Sequence, residues 1–375
     1  MKPRESQRGT STVVDRTAQR LQLMFGTTAL ALALILALGP SLGRAQQLPA
    51  PAPKLKGIVY TADEHGNSVS AIDLASGKVQ IVPIPISPHN VQITADGARL
   101  LAVGEPAGAG HGHGSSPAHA AKEAKGRLLV FDAAKLRSGP MTSIEVGAHP
   151  AHVVADRASQ RAFVTNSGDD SAVVVDLARK AILQTIKTGR YPHGLRISPD
   201  GREVYIANVE DGSVSVIDTS KLTEVARIPV GRTPVQVGFT PDGGRVYVSL
   251  RDENSVAVID TASRTKIGTI AVGRGPIQVH ATPNGRFVYV ANQGTDTEPA
   301  DTVSVIEVAN GQVVDTIRTG KGAHGVAVSD DGLLVLVSNI TDGTVSVIDD
   351  ANRAVVATFS VGRGPNGITY RQSKR

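Results

Sequence analysis

Cysteine and tryptophan are both absent from this chain of 375 residues. Without cysteine there can be no thiolate metal site, iron–sulfur cluster, catalytic cysteine or covalent c-type haem. The absence says nothing about compartment, because a chain this long buries enough core to fold without disulfides. Other signatures are missing too. No Gly-x-Ser-x-Gly elbow occurs, no Ser/His/Asp set stands out, and no glycine-rich phosphate loop precedes a helix. Pairs such as Asp342-Gly343 read as turns rather than as catalytic carboxylates. No helix longer than a turn or two is expected after residue 56.

The one long apolar run, Leu21 to Leu38, follows a basic stretch holding Lys2, Arg4, Arg8, Arg16 and Arg20. Pro40 and Gly43 break it, and Gly43-Arg44-Ala45 offers a small-x-small cleavage site before Gln46. Residues 1–45 are therefore expected to be a signal peptide, with a periplasmic or secreted mature protein. The alternative is an uncleaved anchor, the only route by which this chain would meet a membrane, since 18 apolar residues approach the length of a bilayer span. No arginine pair precedes the run, as the twin-arginine route would require. Residues 1–45 also carry six basic and two acidic residues, which leaves 33 against 32 and a net charge of +1 for the mature chain. The +5 of the whole chain thus gives no support for nucleic acid as a partner. Residues 46–56 form a Pro/Ala-rich spacer, expected to be extended and mobile.

From residue 57 onward the chain repeats. A Gly-x-x-Pro signal ends at Pro150, Pro192, Pro234, Pro276 and Pro365; Ala323 takes the proline place once, and a degenerate copy ends at Pro88. The spacings are 62, 42, 42, 42, 47 and 42 residues. An acidic residue closing a Val-rich strand recurs at Asp73, Asp132, Asp176, Asp218, Asp260, Glu307 and Asp349. Both anchors count seven units. In the unit starting at Pro192, strands are expected at Gly194–Ser198, Val204–Asn208, Ser213–Asp218 and Thr223–Val230, separated by turn chemistry such as Pro199-Asp200-Gly201. Four short antiparallel strands at this period predict an all-β, seven-bladed propeller over residues 57–375. A solenoid would need polar capping repeats, and neither end supplies one. The first copy lacks a first strand, and the chain ends on a lone first-type strand, Asn366–Tyr370. Pairing that strand with Ile58–Ala62 would close the ring and remove two open sheet edges.

Phe163-Val164-Thr165-Asn166, Tyr205-Ile206-Ala207-Asn208 and Tyr289-Val290-Ala291-Asn292 resemble the signature strand of the YVTN β-propeller repeat family. Ser198-Pro199-Asp200-Gly201 and Val214-Ser215-Val216-Ile217-Asp218 match its neighbouring segments. The resemblance covers Gly57 to Tyr370. It implies a WD40-like propeller of the YncE-like periplasmic kind, is shared with archaeal surface-layer proteins and, more distantly, with the propeller of nitrous oxide reductase, and fixes no single activity. Relatives of the YncE-like kind have been linked to DNA binding, which the near-neutral mature charge does not independently support. The lack of tryptophan argues against a quinoprotein, whose propellers use tryptophan docking motifs.

In a propeller the first strand of each blade is innermost, so the Gly-x-x-Pro loops ring the mouth of the central channel. The residue after the proline place reads, blade by blade, His89, Ala151, His193, Val235, Ile277, His324 and Asn366. His152 sits one place further along, out of phase with His89, His193 and His324, and His149 one place before its proline. These imidazoles suit a copper or zinc ion; the plainer reading is that they cap the channel and bond neighbouring backbone carbonyls. The long first repeat inserts a loop between Gly104 and Lys125 that carries His111, His113 and His119. It reads either as a disordered surface loop or as a metal-delivering arm. The residue after the repeat glycine is Arg190, Arg232, Arg274, Lys321 or Arg363, a ring of cations suited to an acidic protein partner or a small anionic ligand. The leading expectation is a non-enzymatic binding scaffold working through this rim. A copper or zinc binding protein or metal-dependent oxidoreductase is the second reading, and a lactonase-like hydrolase the third.

Overall fold

The computed structural model describes residue 51 and residues 53–108 and 125–372. Residues 1–45, expected to be a signal peptide, most of the spacer, and His111, His113 and His119 lie outside the described residues. Among the described residues 28 strands form seven four-stranded antiparallel sheets. Blade 1 comprises 58–83 together with Pro365–Arg371; blades 2 to 7 span 86–148, 150–187, 192–229, 234–271, 276–318 and 323–360. The unit beginning at Pro192 has strands at Pro192–Ile197, Glu203–Asn208, Ser213–Asp218 and Thr223–Pro229, each within two residues of its expected bounds. The helices described are four 3-10 segments of three residues each.

The repeat residues have local duties that explain their spacing. Asp218 ends the third strand of blade 4 and its Oδ1 accepts the backbone N–H groups of Ser220 and Lys221 at 2.9 and 2.8 Å. With the Ser220 hydroxyl these donors hold the carboxyl well below the ordinary carboxylate range. Asp73, Asp132, Asp176, Asp260 and Asp349 accept backbone N–H groups in the same way. The acidic anchor is therefore a turn cap.

The terminal Asn of the signature strand acts with two hydroxyls of the next strand. Asn208 Nδ2 donates to Ser213 Oγ and Ser215 Oγ at 3.0 and 2.9 Å, and Gly189 N–H donates to Ser215 Oγ at 3.3 Å. Asn292 and Asn339 repeat this clamp. A Cβ at Gly189 would lie 2.6 Å from Asn208 Nδ2, so the repeat glycine is the residue that lets the chain cross over the clamp.

Side chains of the inner strands alternate between two neighbouring blades. Val204 and Ile206 pack toward blade 3, while Tyr205 and Ala207 pack toward blade 5. Both faces are buried, which is why these strands read as almost unbroken apolar runs. Seven apolar clusters result, one at each interface between consecutive blades. The seventh joins blade 7 to blade 1 and includes Val59, Ile72, Leu334, Leu336, Ile368 and Tyr370. Ring closure follows the expected pairing, with Val59 opposite Tyr370 and Thr61 opposite Ile368. The last spacer residues are docked rather than loose: Tyr370 donates its hydroxyl to Lys56 O at 3.1 Å, and Lys56 Nζ lies 3.0 Å from Asp331.

Candidate metal centre

Each innermost strand packs against the innermost strands of both neighbouring blades, so seven of them surround one axial channel. Every one of these strands carries a β-bulge at the same place, just after the proline position. In blade 3 Pro150 pairs with Asn166 and Val153 with Val164, so Ala151 and His152 together face Thr165. The shift recurs at Pro88/Asn90, Pro192/Leu195, Pro234/Val237, Pro276/Val279, Ala323/Val326 and at the start of Pro365–Arg371. A bulge sets two successive residues against one and re-aims their side chains, so the strict alternation of a flat strand lapses there.

The bulge accounts for the phase difference of His152. His89 and His193 follow their prolines directly and His152 follows one place later, yet the three rings meet. Their ring centroids lie 4.8, 5.1 and 5.6 Å apart. One nitrogen from each falls within 4.8 Å of the other two. The sequence composition of the bulge is complementary. His193 and His324 are followed by Gly194 and Gly325, whereas the apolar Ala151, Val235 and Ile277 are followed by His152, Gln236 and Gln278. A Cβ at Gly194 would lie 2.4 Å from Gln236 Oε1, so one blade leaves open the space its neighbour fills.

His89 Nε2 and His193 Nε2 are 3.0 Å apart. Two imidazoles bound to one ion at about 2.0–2.1 Å would sit about 3.3 Å apart at a tetrahedral angle, so the pair needs only a small adjustment. Their remaining nitrogens are oriented. Glu64 Oε1 lies 3.1 Å from His89 Nδ1, and Val235 O lies 3.2 Å from His193 Nδ1. Glu64 is buried in the loop of blade 1 and also accepts from Asn366 Nδ2 at 2.7 Å. A carboxylate or a carbonyl behind the imidazole is the arrangement that fixes the tautomer of a metal-binding histidine. Gln236 Nε2 faces His152 Nδ1 at 3.4 Å. Burial first, then the charges of neighbouring rings, hold His152 and His193 well below the ordinary histidine range. Both are neutral near pH 7 and have lone pairs to offer.

His324 stands outside this group of three; its Nδ1 lies 3.2 Å from Asn366 O, the same bond to the next blade's backbone that His193 makes. His149 pairs with Glu105 on the more exposed side. The five rim cations are all exposed, and acids of the neighbouring loops meet several of them. Arg190 bonds Asp211 at 2.8 Å, Arg274 bonds Glu298 at 2.5 Å, and Arg232 lies 3.8 Å from Glu253. Arg363 donates to His65 O, while Asp342 accepts the backbone N–H of Lys321. Reading only the position after the proline missed Glu64, Gln236 and Gln278; reading the next position around the ring as well would have found both glutamines.

This is a closed seven-bladed β-propeller whose channel mouth gathers imidazoles from three blades. The chain belongs to the YNCE-like β-propeller family, which it matches over residues 140–244 and 225–375. A search of the curated proteins finds no match. Among solved structures it is similar to Kuenenia stuttgartiensis hydrazine synthase, at 21% identity and a TM-score of 0.65, over 77% of this chain and 96% of that one. A functionally unknown protein from Desulfotomaculum acetoxidans aligns at 15% identity and a TM-score of 0.68, over 85% of this chain and all of that one (100%). A candidate 6-phosphogluconolactonase from Bacteroides uniformis aligns at 15% identity and a TM-score of 0.65, over 85% and 100%. At these identities the likeness is one of fold.

Proposed function

We propose that this propeller is an exported metal-binding protein that holds a copper or zinc ion at the channel mouth through His89, His152 and His193. The observation that carries the reading is the meeting of one nitrogen from each of three blades within 4.8 Å. Three imidazoles leave a fourth coordination position for water or a ligand, the pattern of open rather than structural sites. Repetition of the propeller motif does not by itself account for these residues, because Val235 and Ile277 occupy the equivalent places in blades 5 and 6. Export rests on the basic, apolar and small-residue segments of residues 1–45.

Metal analysis of untagged protein, followed by calorimetry with Cu(II) and Zn(II), tests this. One ion per chain is expected, with affinity reduced at least 100-fold by His193→Ala. Deleting residues 107–121 should leave that site in place. An ion that remains in the His193→Ala variant and leaves with the loop would place the metal on His111 and His113. No ion and no heat with either metal would leave the imidazoles as channel caps.

A further inference from the structure

The three imidazoles are not equally supported from behind. His89 and His193 each have an oxygen acceptor at Nδ1, Glu64 Oε1 and Val235 O, which leaves Nε2 as the nitrogen with the lone pair. Asn366 Nδ2 also lies 3.2 Å from His89 Nδ1, but it donates to Glu64 Oε2 at 2.7 Å, so the carboxylate remains the acceptor there. His152 has no such oxygen. Among the described residues its ring makes one hydrogen-bonded contact, between Nδ1 and Gln236 Nε2 at 3.4 Å.

The end of the Gln236 amide that faces the ring is fixed by its own strand. Val237 N–H donates to Gln236 Oε1 at 2.9 Å, so the amide nitrogen is the end left for His152. Turning the amide over would set its N–H groups against Val237 N–H, in a side chain that is fully buried. Gln236 reaches blade 3 because blade 4, between them, has glycine at the same place: a Cβ on Gly194 would lie 2.4 Å from Oε1 and 2.6 Å from Cδ. The equivalent Gln278 has Gln236 behind it rather than glycine, and its Oε1 reaches forward, to Val326 N–H of blade 7 at 3.3 Å. Asn90 Oδ1 likewise reaches forward, to Val153 N–H of blade 3 at 3.4 Å. Of these three amides Gln236 alone reaches backward, and it is the one that ends at an imidazole.

We propose, on the basis of the three-histidine site above, that Gln236 is a positioning residue that keeps His152 in the Nε2–H tautomer and makes it the weakest of the three ligands. A neutral ring whose Nδ1 accepts from an amide carries its proton on Nε2. Such a ring meets an ion only by moving that proton or by displacing the amide. His89 and His193 need neither, because an oxygen already takes the proton on the far side of each ring. The ion thus finds two imidazoles ready and a third that resists, which lowers affinity and suits an ion that is handed on rather than kept.

Nitrogen NMR of histidine-labelled, metal-free wild type tests the tautomer, with the His152 signals identified by their loss in His152→Gln. The pattern of an Nε2–H ring is expected. Zinc calorimetry of the wild type, Gln236→Glu and Gln236→Met tests the consequence. Glutamate keeps the bond from Val237 N–H on one oxygen and offers the other to His152 Nδ1–H, so it should turn the tautomer over and tighten zinc binding about tenfold. Methionine fills a similar volume without a donor, and should also bind zinc more tightly than the wild type, by a smaller factor. An Nδ1–H ring in the wild type, or a Gln236→Met variant that binds zinc no more tightly than the wild type, would overturn the proposal. If none of the three proteins binds zinc, the three-histidine site falls, and the wild-type spectrum still decides the tautomer.

Discussion

Asp63 stands where blades 3, 4, 6 and 7 have Asn166, Asn208, Asn292 and Asn339, and its replacement by Asn should stabilise the protein at neutral pH. The carboxylate is fully buried and accepts hydroxyls from Thr61, Ser68 and Ser70 at 2.7, 3.0 and 2.6 Å. Burial outweighs those bonds and raises its pKa to about 6 from 3.8. The folded state therefore holds the proton more tightly than the unfolded state. Stability from this group is complete below about pH 3.8, falls as pH rises toward 6, and stays low above it. Two pKa units correspond to about 3 kcal/mol. In Asp63→Asn the amide can donate to Ser68 and Ser70 as Asn208 does to Ser213 and Ser215, and its oxygen can still accept from Thr61. Urea unfolding of the metal-free wild type and variant between pH 4 and 8 isolates the residue, because every other titrating group cancels in the difference. The variant should gain about 1–3 kcal/mol at pH 8 relative to pH 4. A difference that stays flat across that range would refute the reasoning, whatever its sign.

Removing residues 365–375 takes away the innermost strand of blade 1 together with Ile368 and Tyr370, and should cost on the order of 3–6 kcal/mol; an unchanged melting temperature would refute closure by this strand. Gly57 has φ 98°, and a Cβ there would lie 2.4 Å from the Tyr370 ring, so Gly57→Ala should lower the melting temperature, as thermal denaturation will show. Gln substitutions at Arg190, Arg232, Arg274 and Arg363 should leave folding within about 1 kcal/mol by urea titration, because exposed ion pairs contribute little. If the rim captures an acidic partner, that binding should fall with these substitutions and with salt.

The fold was legible because every blade repeats the same physical solution. Tyr205 and Ile206 must face different neighbours, Asp218 must cap a turn, and Gly189 must cross Asn208, so pattern and duty coincide. The channel was legible only in part. His89 and His193 share a repeat position and can be found by counting, but His152 joins them through a bulge, which adds a residue without changing the repeat length. Glu64 carried no signal at all: it lies in a loop of blade 1, reaches His89 across the interface with blade 2, and reaches Asn366 only because the ring closes.

The arrangement separates the parts of the repeat that make the ring from the parts free to carry chemistry. The aspartate turn caps and the interblade apolar clusters are used in most blades, and the clamp of Asn and two hydroxyls in blades 4, 6 and 7; altering one strains a neighbouring interface. At the bulge the residues vary from blade to blade: His89 with Asn90, Ala151 with His152, His193 with Gly194, and Val235 with Gln236. The mouth of the channel therefore carries imidazole, amide or alkyl groups on the same backbone. Three neighbouring blades, 2, 3 and 4, hold the three imidazoles that meet, and the blade with the long insertion is one of them. The asymmetry lies where the fold permits it, which is the expected place for function in a ring otherwise built by repetition.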